Sequence, residues 1–141
     1  MLEHGDQVQE LVKTVGPLKC EIELPASWKD YFEKTGPLPA RLDDRRRYPR
    51  YYLRVCAALQ YCQTLPALPR PPTWHKILTR DMSRCGLSFL HSEVLYPRER
   101  VRVVLPGEGI GTVEIVRCTR IQRRCFETGA RFVQGFQKST A

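Results

Sequence analysis

The 141-residue chain is short of several common features, and each absence removes a class of function. No apolar run approaches the roughly 20 residues that a membrane-spanning helix needs. No two of its six cysteines are separated by two residues, which excludes the zinc-knuckle and dithiol redox patterns. Three histidines, His4, His75 and His91, are scattered without ligand spacing and read as surface or strand residues. The first residues are polar and no apolar stretch of the secretory kind follows them, so the expected location is cytoplasmic, with reduced cysteines. Several of those cysteines fall at apolar positions of predicted strands, which suggests core residues. Gly107-x-Gly109-x-Gly111 has the look of a phosphate loop, but no helical pattern follows it, so a hairpin turn is expected. No nucleophile–base pair or metal set stands out, and the chain is not expected to be an enzyme or to carry a cofactor.

Charge is unevenly distributed. Residues 1–40 contain no arginine; their four lysines face seven acids, for a net of −3. Residues 41–141 carry 17 arginines and only two lysines against eight acids, for a net of +11. This places a boundary near residues 39–41 and marks the second part as a candidate anion binder. Arginine in place of lysine favours planar, bidentate recognition over diffuse attraction.

Local patterns divide the chain further. Residues 1–16 hold a weak helical stretch, with Val8, Leu11, Val12 and Val15 on one face. Residues 18–24 alternate apolar and charged, the signal of a half-buried strand ended by Pro25. Ser27, followed by Asp30, suggests a capped short helix over residues 28–34 that buries Trp28, Tyr31 and Phe32. Together these predict an accessory strand–helix extension over residues 1–40. Residues 41–52 read as an arginine-rich linker. Beyond it, strands are expected at 53–62, 74–78, 86–90, 100–105, 112–116 and 126–133, interrupted by a proline-rich stretch at 64–73. Six short strands with frequent turns argue for a mainly β fold, an antiparallel barrel over residues 53–136.

One constellation carries chemistry. Arg46-x-x-x-Arg50 precedes the first strand, and Asp81-x-Ser83-x-x-Gly86 follows the second. Arginine pairs spaced by four occur six times here, so the first half says little alone. The second half would arise by chance about once in a hundred such chains. Arginine offers a flat fork to phosphate or to the O6/N7 edge of guanine. Asp81 can accept from the guanine N–H groups, Ser83 adds an adaptable polar contact, and Gly86 lets backbone approach closely. Arg45 and Arg47 could join the clamp. Arg117, Arg120, Arg123 and Arg124 form a second basic cluster, read as a charged strand edge that resists pairing.

In these five residues, and in the strand that begins just after Arg50, residues 43–136 resemble the PilZ domain family of bacterial cyclic di-GMP receptors. The proline-rich stretch 64–73 is the main departure from the family pattern. The resemblance implies a six-stranded PilZ-like β-barrel that binds cyclic di-GMP through Arg46, Arg50, Asp81, Ser83 and Gly86. It also implies that ligand orders the linker against the barrel and changes how residues 1–40 meet a downstream protein partner. Two other readings stay open: a protein-interaction module without ligand, and a barrel that stacks single-stranded nucleic acid on Tyr48, Tyr51 and Tyr52. The motif makes nucleic acid the less expected partner.

Overall fold

The computed structural model describes residues 15–38 and 48–137. The expected helical stretch at 1–16 therefore lies almost wholly outside the described residues, as do Arg41, Arg45, Arg46 and Arg47. Seven strands follow in order: β1 Tyr51–Tyr52, β2 Cys56–Gln63, β3 Trp74–Met82, β4 Gly86–His91, β5 Arg100–Leu105, β6 Gly109–Gln122 and β7 Cys125–Gln137. All pairings are antiparallel. The order β3-β2-β5-β6-β7-β4 closes on itself through β3–β4, giving a six-stranded barrel with β1 outside the ring. β1 lies along β3 just beyond β2 and is tied in by Leu53 N–H to the Arg80 carbonyl at 3.0 Å.

Alternation along the strands explains the core. Leu59, Ile77, Phe89, Val101, Val103, Val113 and Ile115 point inward and are fully buried or nearly so. Glycines 107 and 109 turn β5 into β6, as expected of a hairpin. β6 and β7 run well past their expected ends, because each strand gives the other a continuous partner.

Residues 15–38 wrap the outside of the barrel, though not as a strand and a helix. Residues 18–24 form no strand. Ile22 is buried and Leu24 partly so, and the main-chain bond that ties this stretch to the barrel strands runs from Glu23 N–H to the Arg124 carbonyl at 3.1 Å. Period-two alternation reports an extended chain buried on one side; it does not require a ladder. The expected helix shrinks to a single 3-10 turn, Tyr31–Glu33, with no side-chain cap from Asp30. Tyr31 is buried and bonds the Thr79 carbonyl at 2.5 Å, whereas Phe32 is half exposed. Aromatic anchoring, with Gly36-Pro37 following at once, leaves no length for a helix to propagate.

Two satellite clusters hold the wrap. Val15 and Leu18 pack on Ala58 and Val104, and Ile22, Trp28 and Tyr31 pack on Leu78, Leu90 and Cys125. The Arg54 guanidinium lies 4.3 Å from the Tyr31 ring centre, and that of Arg80 lies 4.7 Å from that of Trp28. All six cysteines are free thiols, but only Cys125 is buried. Cys62, at the end of the expected first strand, is exposed because it is the extra residue of a β2 bulge between Tyr61 and Gln63.

Candidate functional site

The outer face that the wrap leaves open carries a cleft of about 250 Å³, lined by Tyr48, Arg50, Asp81, Ser83, Gly86, Ser88, Arg117 and Arg131 among others. Four of the five motif residues thus meet at one place. Arg46 and the two possible additions, Arg45 and Arg47, lie outside the described residues.

Backbone register builds the floor. Tyr52 faces Asp81, Asp81 faces Ser88, Ser88 faces Gly129, and Gly129 faces Arg117. These positions form one row across β1, β3, β4, β7 and β6, all on the outer side. From Asp81 to Arg117 the row crosses three strand spacings, about 14 Å. Two bulges create it. Thr79 faces the inward Phe89, yet Asp81 faces the outward Ser88, so Arg80 is the extra residue. Ile115 faces the inward Ala130, yet Arg117 faces the outward Gly129, so Val116 is the extra residue. Each bulge reverses the alternation and turns a charged side chain from the core to the cleft.

At one wall Arg50 donates from Nε (2.8 Å) and Nη2 (2.5 Å) to Asp81 Oδ1. Both bonds use the same oxygen, so Oδ2 keeps its acceptor capacity. Arg50 is further fixed by its backbone, since its carbonyl accepts from Leu38 N–H at 2.9 Å and Tyr52 N–H bonds the Gly36 carbonyl. Both ends of the segment bearing Arg46 are therefore fastened to the barrel edge. Ser83 opens the β3–β4 turn: its N–H bonds the Gly86 carbonyl and its Oγ accepts from Cys85 N–H at 3.2 Å, leaving the hydroxyl proton to donate. Gly86 has a packing reason as well. A Cβ there would sit 2.2 Å from the Ala130 carbonyl oxygen, so only glycine lets β4 approach β7 this closely. The Arg84 guanidinium lies 5.2 Å from the Tyr48 ring centre at the rim.

Ser88, Arg117, Gly129 and Arg131 were not expected in the site. Ser88 is 2% exposed, and its Oγ has no hydrogen-bond partner among the described residues. Arg131 binds Glu114, whose carboxyl is held below its usual range chiefly by Arg131 and also by Arg100. Arg117 had been read with Arg120 as strand-edge charge. β5 pairs with β6 only as far as Glu114, so the later residues do form an edge, but the bulge turns Arg117 onto the cleft. The Ser88–Gly129 pairing gave no sequence signal, because small residues in strands have many causes.

A second polar cluster sits at the other end of β4. Arg70, from the proline-rich stretch, donates to both oxygens of the fully buried Glu99 at 2.8 and 2.9 Å. The Tyr61 hydroxyl donates to Glu93 and accepts from Arg70, and it lies 2.9 Å from His91 Nε2. The hydroxyl hydrogen goes to the carboxylate, which assigns the His91 proton to Nε2 and leaves Nδ1 as a bare acceptor. Burial lowers the His91 pKa to about 4, so the ring is neutral, and raises that of the Tyr61 phenol. Partial burial would raise the Glu93 carboxyl, but the Tyr61 hydroxyl bond, helped by the nearby His91, His75 and Arg70 groups, holds it low.

Among the described residues no group of three or more His, Cys, Asp or Glu side chains converges to hold a metal ion. No described helix is long and apolar enough to cross a membrane. Neither a scan of protein-family models nor a search of curated proteins finds a match to this chain, so the reading of the cleft rests on its own chemistry.

Proposed function

We propose that this chain is a PilZ-type receptor for cyclic di-GMP, a signalling protein and not an enzyme. The observation that carries the reading is the meeting of Arg50, Asp81, Ser83 and Gly86 around one outer-face cleft, although they lie on separate elements up to 36 positions apart. The ligand is an anion with two phosphates and two guanines, and the cleft offers groups suited to each. Arg50 has donors and a flat face left for phosphate or a base. Asp81 Oδ2 can accept from guanine N–H groups. Adenine would leave that buried acceptor unpaired, which supplies the discrimination. Ser83 donates from the turn. Arg46 completes the clamp, with Arg45 and Arg47 beside it.

Ligand engagement also reaches the N-terminal wrap. Arg50 is bonded through its carbonyl to Leu38, and Arg80, next to Asp81, stacks on Trp28. Displacing the Arg50–Asp81 pair therefore acts on both fastenings of residues 15–38, the surface offered to a cytoplasmic protein partner.

Isothermal titration calorimetry with cyclic di-GMP on the whole chain tests the reading. Saturable binding is expected, with a loss of at least about a hundredfold in Arg50→Ala, because that change removes a charge-assisted pair and strands Asp81. A folded wild-type protein that gives no binding heat and no ligand-dependent melting shift overturns it.

A further inference from the structure

We infer that Arg117 and Ser88 form a second anion subsite on the far wall of the cleft, outside the five motif residues, and that it takes a phosphate of the bound dinucleotide. The inference rests on the cyclic di-GMP reading and adds to it where the second half of the ligand is held.

Three independent observations converge. The first is the Val116 bulge, which aims Arg117 outward in line with Asp81 and Ser88. Bulges beside a site re-aim side chains, and without this one Arg117 would follow Val113 and Ile115 into the core. The second is pairing. Arg50 and Arg131 both have carboxylate partners, at Asp81 and Glu114. Arg117 makes no hydrogen bond or ion pair to another described residue. Its side chain lies across Gly129, where an added Cβ would come within 3.1 Å of Cζ, so the missing side chain at 129 is the space the guanidinium uses. The third is Ser88, whose buried Oγ lines the same cleft and has no partner among the described residues. Buried hydroxyls are nearly always bonded, so one left open on the floor of a cleft is poised for a ligand acceptor.

The chemistry is that of a phosphate. A guanidinium presents a planar fork to two non-bridging oxygens, and a hydroxyl supplies one adaptable donor. Recognition of guanine N–H groups, as proposed for Asp81, fits less well, because it needs a carboxylate acceptor, and Arg117 pairs with Gly129 and has no carboxylate partner among the described residues. The Asp81 and Arg117 walls, about 14 Å apart, divide the work: Asp81 reads a base, and Arg117 with Ser88 holds charge.

Calorimetry with cyclic di-GMP on the wild type, Arg117→Ala, Arg117→Lys and Ser88→Ala separates the outcomes. Arg117 is exposed, and circular dichroism melting checks that each variant is folded. Arg117→Ala should weaken binding by roughly ten- to a hundredfold, the range for a hydrogen bond to a charged group. Its binding should also respond less to added salt. Arg117→Lys, which keeps the charge without the fork, should recover part of the loss, and Ser88→Ala should lose about fivefold. Wild-type affinity in Arg117→Ala overturns the subsite and leaves the receptor reading intact. No binding by the folded wild type overturns both.

Discussion

The two ends of β4 carry polar clusters of similar size and opposite character. At its last residues, Tyr61, His91, Glu93, Arg70 and Glu99 bond one another so that nearly every donor has an acceptor inside the protein. At its first residues, Arg50 gives two of its donors to one oxygen of Asp81, and among the described residues Ser88 Oγ has no partner and Arg117 no counter-charge. Satisfied buried polar groups make a structure rigid and unsatisfied ones cost stability. The difference separates a part whose bonds hold the fold from a part that leaves polar groups open at the cleft. Location agrees: the more fully bonded cluster, in which His91 Nδ1 lacks a partner among the described residues, anchors the proline-rich excursion, and the open one lies where the N-terminal wrap stops covering the barrel.

The sharpest way to break this contrast is Arg70→Met. It leaves Glu99, with no exposed surface, as an uncompensated buried carboxylate. Urea unfolding should show a loss of about 3–5 kcal/mol. A loss below about 1 kcal/mol would mean that this cluster does not hold the fold.

The next effect is on pH dependence. His91 has a folded pKa near 4, below the unfolded value of 6.5. Above pH 6.5 the ring is neutral in both states and stability is flat. As pH falls from 6.5 towards 4 the unfolded chain takes up a proton that the folded one refuses. Stability should fall by roughly 3 kcal/mol across that window. Glu93, held low in the folded state, acts in the same direction at still lower pH, since its contribution is present above its unfolded pKa and is lost as the folded carboxylate protonates. Urea midpoints measured from pH 8 to 4 check the curve, and a flat profile would place His91 in contact with solvent.

Smallest in size but opposite in sign is Ser88→Ala. Removing a buried hydroxyl without a partner should raise stability by about 1 kcal/mol even as ligand affinity drops. A destabilised Ser88→Ala would show that the hydroxyl is already satisfied and that the two clusters are alike.

Much of this could be read from residue order. Four strands, β2 to β5, fall close to their expected places because alternation of Val, Ile, Leu and Phe with polar residues reports one-sided burial directly. Gly107 and Gly109 mark their turn for the same local reason. The errors have two causes. Residues 18–24 alternate because they lie on the barrel surface, and the segment around Tyr31 buries that ring with a single 3-10 turn in place of the expected helix. In both, a burial pattern was taken as a backbone pattern. Arg117 was misplaced because a bulge shifts the phase by one residue, and a bulge depends on what the partner strand does.

Residue order alone carried the class of fold, the charge division near residue 40 and the motif on which the proposed site rests: Arg46, Arg50, Asp81, Ser83 and Gly86. Each follows from local period, composition or short spacing. Tertiary structure alone decided that Asp81, Ser88, Gly129 and Arg117 share one outer row, that the wrap covers part of the outer surface, and which arginines lack a counter-charge among the described residues. Those depend on strand register and on bulges at Arg80 and Val116. Register is set by pairing between segments far apart in the chain, and a one-residue shift sends every later side chain to the opposite face.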